Sequence, residues 1–132
     1  MTANTDLNAG LARLMGFDYA QTSDEISDEP LYRVVGPDGQ PLTDARWWVS
    51  REFANHAIPP FSRSLDALFA PGGPVEYATS KGMSVTLHTN GGEWRATVEQ
   101  FGVIDLGLHV FPDPAEALAT ALHEALSKEA GV

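Results

Sequence analysis

The stretch from Met83 to Val98 constrains the fold more than any other part of the chain. Met83, Val85 and Leu87 alternate with Ser84, Thr86 and His88; beyond Asn90-Gly91-Gly92, Trp94, Ala96 and Val98 alternate with Glu93, Arg95 and Thr97. Period-two alternation on both sides of a glycine-rich turn specifies a β-hairpin with one apolar and one polar face. A two-residue Asn90-Gly91 turn pairs Leu87 with Trp94, Val85 with Ala96, Met83 with Val98, Thr86 with Arg95 and His88 with Glu93. Centring the turn on Gly91-Gly92 changes those partners but leaves the faces intact, because a two-residue slip returns every side chain to its own side.

The segments around this hairpin read as further strands and helices. Val103 to Phe111 is β-prone, with Ile104, Leu106, Leu108 and Val110 on one side. Asp113-Pro114-Ala115-Glu116 then opens a helix: Asp113 suits the N-cap, Pro114 the first helical position, and Glu116 completes a capping-box pattern. Its apolar stripe is Leu118, Ala121, Leu122, Ala125 and Leu126. At the other end of the chain, Leu7, Leu11, Leu14 and Met15 share one helical face over residues 5–16, with Thr5 as cap and Gly16 as stop.

Between these ends the signals are shorter. Gln21 to Pro30 is polar and acidic and reads as a solvated loop. Leu31 to Val35 reads as a strand closed by the Gly36-Pro37-Asp38-Gly39 turn, with Arg46 to Ser50 as its return strand. Alternation would send one of Trp47 and Trp48 to the core and leave its neighbour nearer solvent. Ser62 or Ser64 can cap a short helix through Leu65, Leu68 and Phe69, which ends at the connector Pro71-Gly72-Gly73-Pro74. The expected fold is a single α+β domain over 1–132, an α/β/α layered sandwich with about five mainly antiparallel strands.

Composition narrows the function classes. A length of 132 residues suits one domain. The absence of cysteine removes disulfides, thiolate metal sites and cysteine nucleophiles. No apolar run approaches the roughly 20 residues of a membrane span, and the first residues lack a signal-peptide pattern, so the expected location is the cytoplasm. Eighteen acidic against eight basic residues, a formal charge of −10, repel nucleic-acid polymers and anionic lipid.

Catalytic motifs are missing. His56, His88, His109 and His123 show no zinc-binding spacing, and His88 facing Glu93 reads as a cross-strand charge pair. Ser62 and Ser64 serve as caps, and neither glycine-rich turn leads into a helix as a phosphate loop would. The expectation is a non-enzymatic protein that needs no cofactor or metal. One constellation points to binding: Arg46 with Trp47 and Trp48, Arg63 ahead of the short helix, and Trp94-Arg95 on the hairpin. Aromatic planes beside guanidinium groups suit stacking on a base and holding a phosphate, and equally suit a protein interface.

The order of these segments resembles the phage ABA-sandwich domain, a family of small phage and prophage proteins. The resemblance lies in Leu11-Ala12-Arg13-Leu14-Met15-Gly16-Phe17, Trp47-Trp48, Pro59-Pro60-Phe61-Ser62-Arg63-Ser64-Leu65-Asp66, Glu93-Trp94-Arg95-Ala96-Thr97-Val98 and the alanine-rich stretch from Pro114 to Ser127. Arg63 and Ser64 stand where the family's threonine-aspartate is usual, and the Val103–Phe111 segment is long for it. The resemblance implies layered α/β/α packing and a phage setting, with no catalytic residues to carry over. The first functional expectation is a counter-defence protein that sequesters a small nucleotide-derived immune signal in the host cytoplasm. The alternatives are an acidic inhibitor of a host defence nuclease or effector and a structural phage accessory protein, with homo-oligomerisation open in each.

Overall fold

A computed structural model describes the backbone of residues 2–42, 46–100 and 103–131, and the side chains of 7–42, 46–100 and 112–131. Five strands form among the described residues, with Asp18–Ser23 in place of the expected Arg46–Ser50, and they divide into two antiparallel sheets rather than one: β1 (Asp18–Ser23) with β2 (Pro30–Val35), and β3 (Met83–Asn90), β4 (Glu93–Gln100) and β5 (Val103–Phe111) in that order. The fold is α+β. The division has a visible origin. β1 is polar (DYAQTS) and mostly exposed, so it pairs only with the strand that follows it and adds no apolar face to the larger sheet.

The β3–β4 hairpin keeps the expected faces and takes the second register. Asn90 pairs with Glu93, which leaves Gly91-Gly92 as the two-residue turn, with φ of 66° and 84°. A hairpin turn with positive φ at both central positions favours glycine at both, and this sequence supplies two in a row. Leu87 therefore opposes Ala96, Val85 opposes Val98 and Met83 opposes Gln100; His88 faces Arg95, not Glu93. Met83, Ala96 and Val98 are buried while Ser84, Thr86, His88 and Arg95 are exposed. β5 pairs along β4 from Trp94–Phe111 to Val98–Gly107, with a register shift before Gln100–Val103. The expected one-sided row in β5 falls outside the described side chains.

Helix α5 (Pro114–Glu129) is the central packing element. Asp113 caps it as expected, its Oδ1 accepting from the N–H groups of Ala115 at 2.8 Å and Glu116 at 3.2 Å. Besides the predicted stripe, Ala115, Ala117 and Ala119 are buried, because α5 is covered from more than one side. It lies on β4 and β5, and α1 (Thr2–Leu14) packs against it in turn. At that crossing the two helices approach closely: a Cβ added at Gly10 would lie 2.7 Å from His123 Nε2. Gly10, a poor helix former by propensity, thus occupies a position where the neighbouring helix leaves no room. Leu11, Ala12 and Met15 bury the inner face of α1, and Gly16 (φ 99°) ends it. The helix begins at Thr2, so Thr5 lies inside it rather than capping it.

Two short segments read as loop or linker are ordered elements. Gln21 to Ser23 belong to β1, and the solvated stretch reduces to the turn 24–29. Ser64 Oγ caps α3 (Leu65–Phe69) by accepting from Ala67 N–H, while Ser62 is buried and takes its backbone bond from N–H to Asn8 Oδ1 at 2.8 Å. The Pro71-Gly72-Gly73-Pro74 stretch connects α3 to another helix, α4 (Pro74–Ser80), with Pro74 in the first turn. A Cβ at Gly73 would meet the backbone oxygens of Ala67 at 2.8 Å and Ala70 at 2.9 Å, so this glycine is required by space. No helix among the described residues is long and apolar enough to cross a membrane.

Candidate functional site

The expected return strand Arg46 to Ser50 reduces to a single antiparallel bridge, Tyr32 with Trp48. The two residues exchange both backbone hydrogen bonds at 2.7 Å. That bridge carries Trp48 to the edge of β2, after which Ser50 Oγ accepts from Phe53 N–H and starts α2 (Arg51–Ala54), followed by a 3-10 turn at Asn55–Ala57. Ala54 is fully buried and anchors the helix, leaving Arg51, Glu52 and Phe53 exposed. A backbone bridge and one serine cap therefore place Trp47 and Arg51 against residues of β1 and β2, with Arg46 and Phe53 on Trp48.

Two sets of stacked side chains gather there, Arg33 with Trp47 on one side of β2 and an aromatic–arginine face on the side of Tyr32 and Trp48. The Arg33 guanidinium lies 4.3 Å from the Trp47 ring centroid, and the Arg46 guanidinium 5.2 Å from that of Trp48. Arg51 approaches two rings, Tyr32 at 5.2 Å and Tyr19 at 5.6 Å. Trp48 and Phe53 lie near-parallel with centroids 6.4 Å apart, and His56 sits edge-on to both at 6.1 Å. The Tyr19 hydroxyl donates to Asn55 Oδ1 at 2.5 Å, tying β1 to the 3-10 turn. Trp47 and Trp48 are both half-buried, and of the two it is Trp48 that reaches the core, as alternation expected of one of them. Trp48 packs on the core edge, and its Nε1 is buried with no acceptor among the described residues, a donor left for a bound group or a water.

Two properties set the Trp48 face apart. It holds Arg46 and Arg51, two of the eight basic residues in a chain of charge −10. Beside it, large apolar side chains are exposed, Val49 at 66% and Phe53 at 51%. Each guanidinium–ring pair contributes about 0.5–1 kcal/mol at an exposed site, a bias toward the stacked geometry.

The remaining predicted residues lie on other elements. Arg63 precedes α3 and borders an open depression with Ser64, Asp66 and Asp113. Arg95 is on β4 beside His88, Asn90 and Glu93, and Trp94 points to the opposite side, half-buried against the core. The constellation read from the sequence thus separates, and only Arg46 and Trp48 join one face, while Trp47 meets Arg33 on the other side of β2. Arg51, Phe53, Tyr19 and Tyr32 complete the Trp48 face. An i, i+2 spacing of Arg51 and Phe53 behind a serine carried a weak signal; Arg33 and Tyr19 arrive through strand pairing and had none.

The face is open rather than concave. The nearest enclosed cleft, lined by Ala12, Phe17, Tyr19, Val34 and Ile58, has room of about 10 Å³, no more than one water. Among the described residues no three histidine, aspartate or glutamate side chains assemble as a metal site. At the far end of β1–β2, the turn 24–29 carries Asp24, Glu25, Asp28 and Glu29 around Ile26, which is 97% exposed. Asp24 Oδ1 accepts from Ile26 N–H at 2.9 Å, and this bond holds the Asp24 carboxyl below its ordinary pKa. Comparison with known protein families, with characterised proteins and with solved structures gives no match to this chain.

Proposed function

We propose that this chain is a non-catalytic binding protein whose working surface is the face formed by Arg46, Trp48, Arg51 and Phe53. The supporting observation is the stacking of two guanidinium groups on the rings of that face within an otherwise acidic chain. Such pairs offer a ring plane for a base or another flat group and fixed N–H donors for a phosphate or carboxylate. The ligand class this favours is anionic and planar, a small nucleotide-derived molecule. On the family resemblance, the setting is a phage counter-defence protein in the host cytoplasm with α/β/α layering, and the ligand an immune signal.

Calorimetry and thermal shift against cyclic nucleotides and ADP-ribose test this. Binding should raise Tm and should be lost in Arg46→Ala and Arg51→Ala, while Arg63→Ala and Arg95→Ala leave it unchanged. No Tm shift with any of these nucleotides removes the reading. A second reading, an acidic inhibitor of a basic host protein, has its own support in the turn 24–29, where Ile26 stands exposed among four carboxylates. Capture of a basic nuclease that is released by salt and by Ile26→Asp would favour it.

A further inference from the structure

The two most distinctive surfaces of this molecule are chemical complements of each other. One is the Arg46/Arg51 face with Val49 and Phe53 exposed beside it; the other is the 24–29 turn, four carboxylates around an almost fully exposed Ile26. A large apolar side chain at a turn tip, left in water by its own chain, suits insertion between apolar groups elsewhere. Phe53 and Val49 offer such groups, rimmed by charges of the sign opposite to the turn. The neighbouring acid, Glu52, is outnumbered by the two arginines.

Both surfaces are carried by the same β1–β2 ladder. Tyr19 and Tyr32 are on its strands, and the turn begins about 10 Å beyond Tyr32, three residues at the usual rise of about 3.4 Å. The ladder therefore joins the negative turn to the arginine-bearing face. Two such ladders aligned head to tail about a two-fold axis place each turn on the other's face, making the same contact twice.

We propose that two copies of this chain associate in this way, with the Ile26 turn of each seated on the Arg46/Arg51/Phe53 face of the other. This rests on the reading of that face as one that binds anionic groups, and it adds a consequence: an anionic ligand and the partner copy compete for the same guanidinium groups. The charge pairs give the encounter its steering and its salt dependence, while the Ile26, Val49 and Phe53 contact supplies burial.

Sedimentation velocity on the full chain at low and high salt tests the proposal. The expected result is concentration-dependent dimerisation at 20 mM salt, weakened at least tenfold at 500 mM and abolished by Ile26→Asp, a change at a solvent-exposed tip that leaves thermal unfolding unaltered. The charge swap is decisive. Arg46→Glu with Arg51→Glu, and separately Glu25→Lys with Glu29→Lys, should each be monomeric alone and should dimerise when mixed, because one contact then has its native signs and the other is restored with the signs reversed. A chain that stays monomeric at millimolar concentration, a dimer indifferent to these variants, or a mixture that fails to associate overturns the proposal. An ADP-ribose titration of the same monomer, followed by tryptophan fluorescence, separates the two failures. Binding that is lost in Arg51→Ala leaves the face as an anion site and removes only the dimer; no binding removes both.

Discussion

The β3–β4–β5/α5/α1 region and the β1–β2/α2 region of this protein are held together by different means. In the first, α5 buries five alanines and three leucines against the sheet and α1, and Gly10 meets His123 with no space between. Area removed from water and tight fit supply its stability. In the second, Val34 and Ala54 reach the core, and the contacts above them are stacked: guanidinium on indole and phenol, indole on phenyl, with a single strand bridge and one serine cap beneath them. Stacked contacts at the surface contribute less each, but they leave the charged and aromatic groups accessible. The chain thus separates the residues that hold it folded from the residues that can meet a partner, and substitution should resolve the two.

The largest expected effect is in the first region. Leu122→Ala, at a fully buried position of α5, should cost about 3 kcal/mol in urea-denaturation ΔG. An effect below about 1 kcal/mol would mean that α5 does not carry the core. Gly73→Ala comes next, at about 2 kcal/mol, because the added methyl must displace backbone oxygens rather than a side chain; its midpoint should fall with an unchanged m-value. Asp113→Ala removes the two bonds at the start of α5 and should lower stability by about 1 kcal/mol, with Asp113→Ser restoring most of it.

In the second region, Phe53→Ala should change global stability by less than about 1 kcal/mol while removing ligand or partner binding. A larger loss of stability would place that region in the same cooperative core and break the comparison. The smallest effect is at Asp24. Its carboxyl is held below the ordinary value by the Ile26 N–H, so its contribution is complete above about pH 5 and is lost as pH falls through its folded-state pKa. An NMR titration of the Ile26 amide should show that transition, and Asp24→Asn should flatten it.

How far the sequence foretold each region follows from the same difference. The hairpin faces and the capped C-terminal helix were legible because they rest on periodicity and on neighbours: Met83/Val85/Leu87 at spacing two, Asp113-Pro114 before an apolar stripe. The register was open because it depends on whether Asn90 or Gly92 joins Gly91 in the turn, a choice the alternation does not affect. β1 escaped notice since a polar strand such as Asp18–Ser23 has no apolar alternation to reveal it. Helix α4 was hidden behind Pro71-Gly72-Gly73-Pro74, whose last proline begins a helix instead of closing a linker. At the candidate site the Arg46-Trp47-Trp48 triplet was visible as a word in the sequence. Arg33 and Tyr19 reach it only through pairing of β2 with β1 and with Trp48, contacts that short-range patterns do not encode.

The central place of α5 has a consequence for how the chain is made. Synthesis delivers β3, β4 and β5 before α5, so the side of the sheet bearing Met83, Ala96 and Val98 is complete while the helix that covers it does not yet exist. Each nascent chain passes through an interval with an uncovered apolar sheet, the condition under which chaperones engage and neighbouring chains stick. Slower elongation between Phe111 and Leu126 should lengthen that interval and lower the soluble yield of a protein whose finished fold is unchanged.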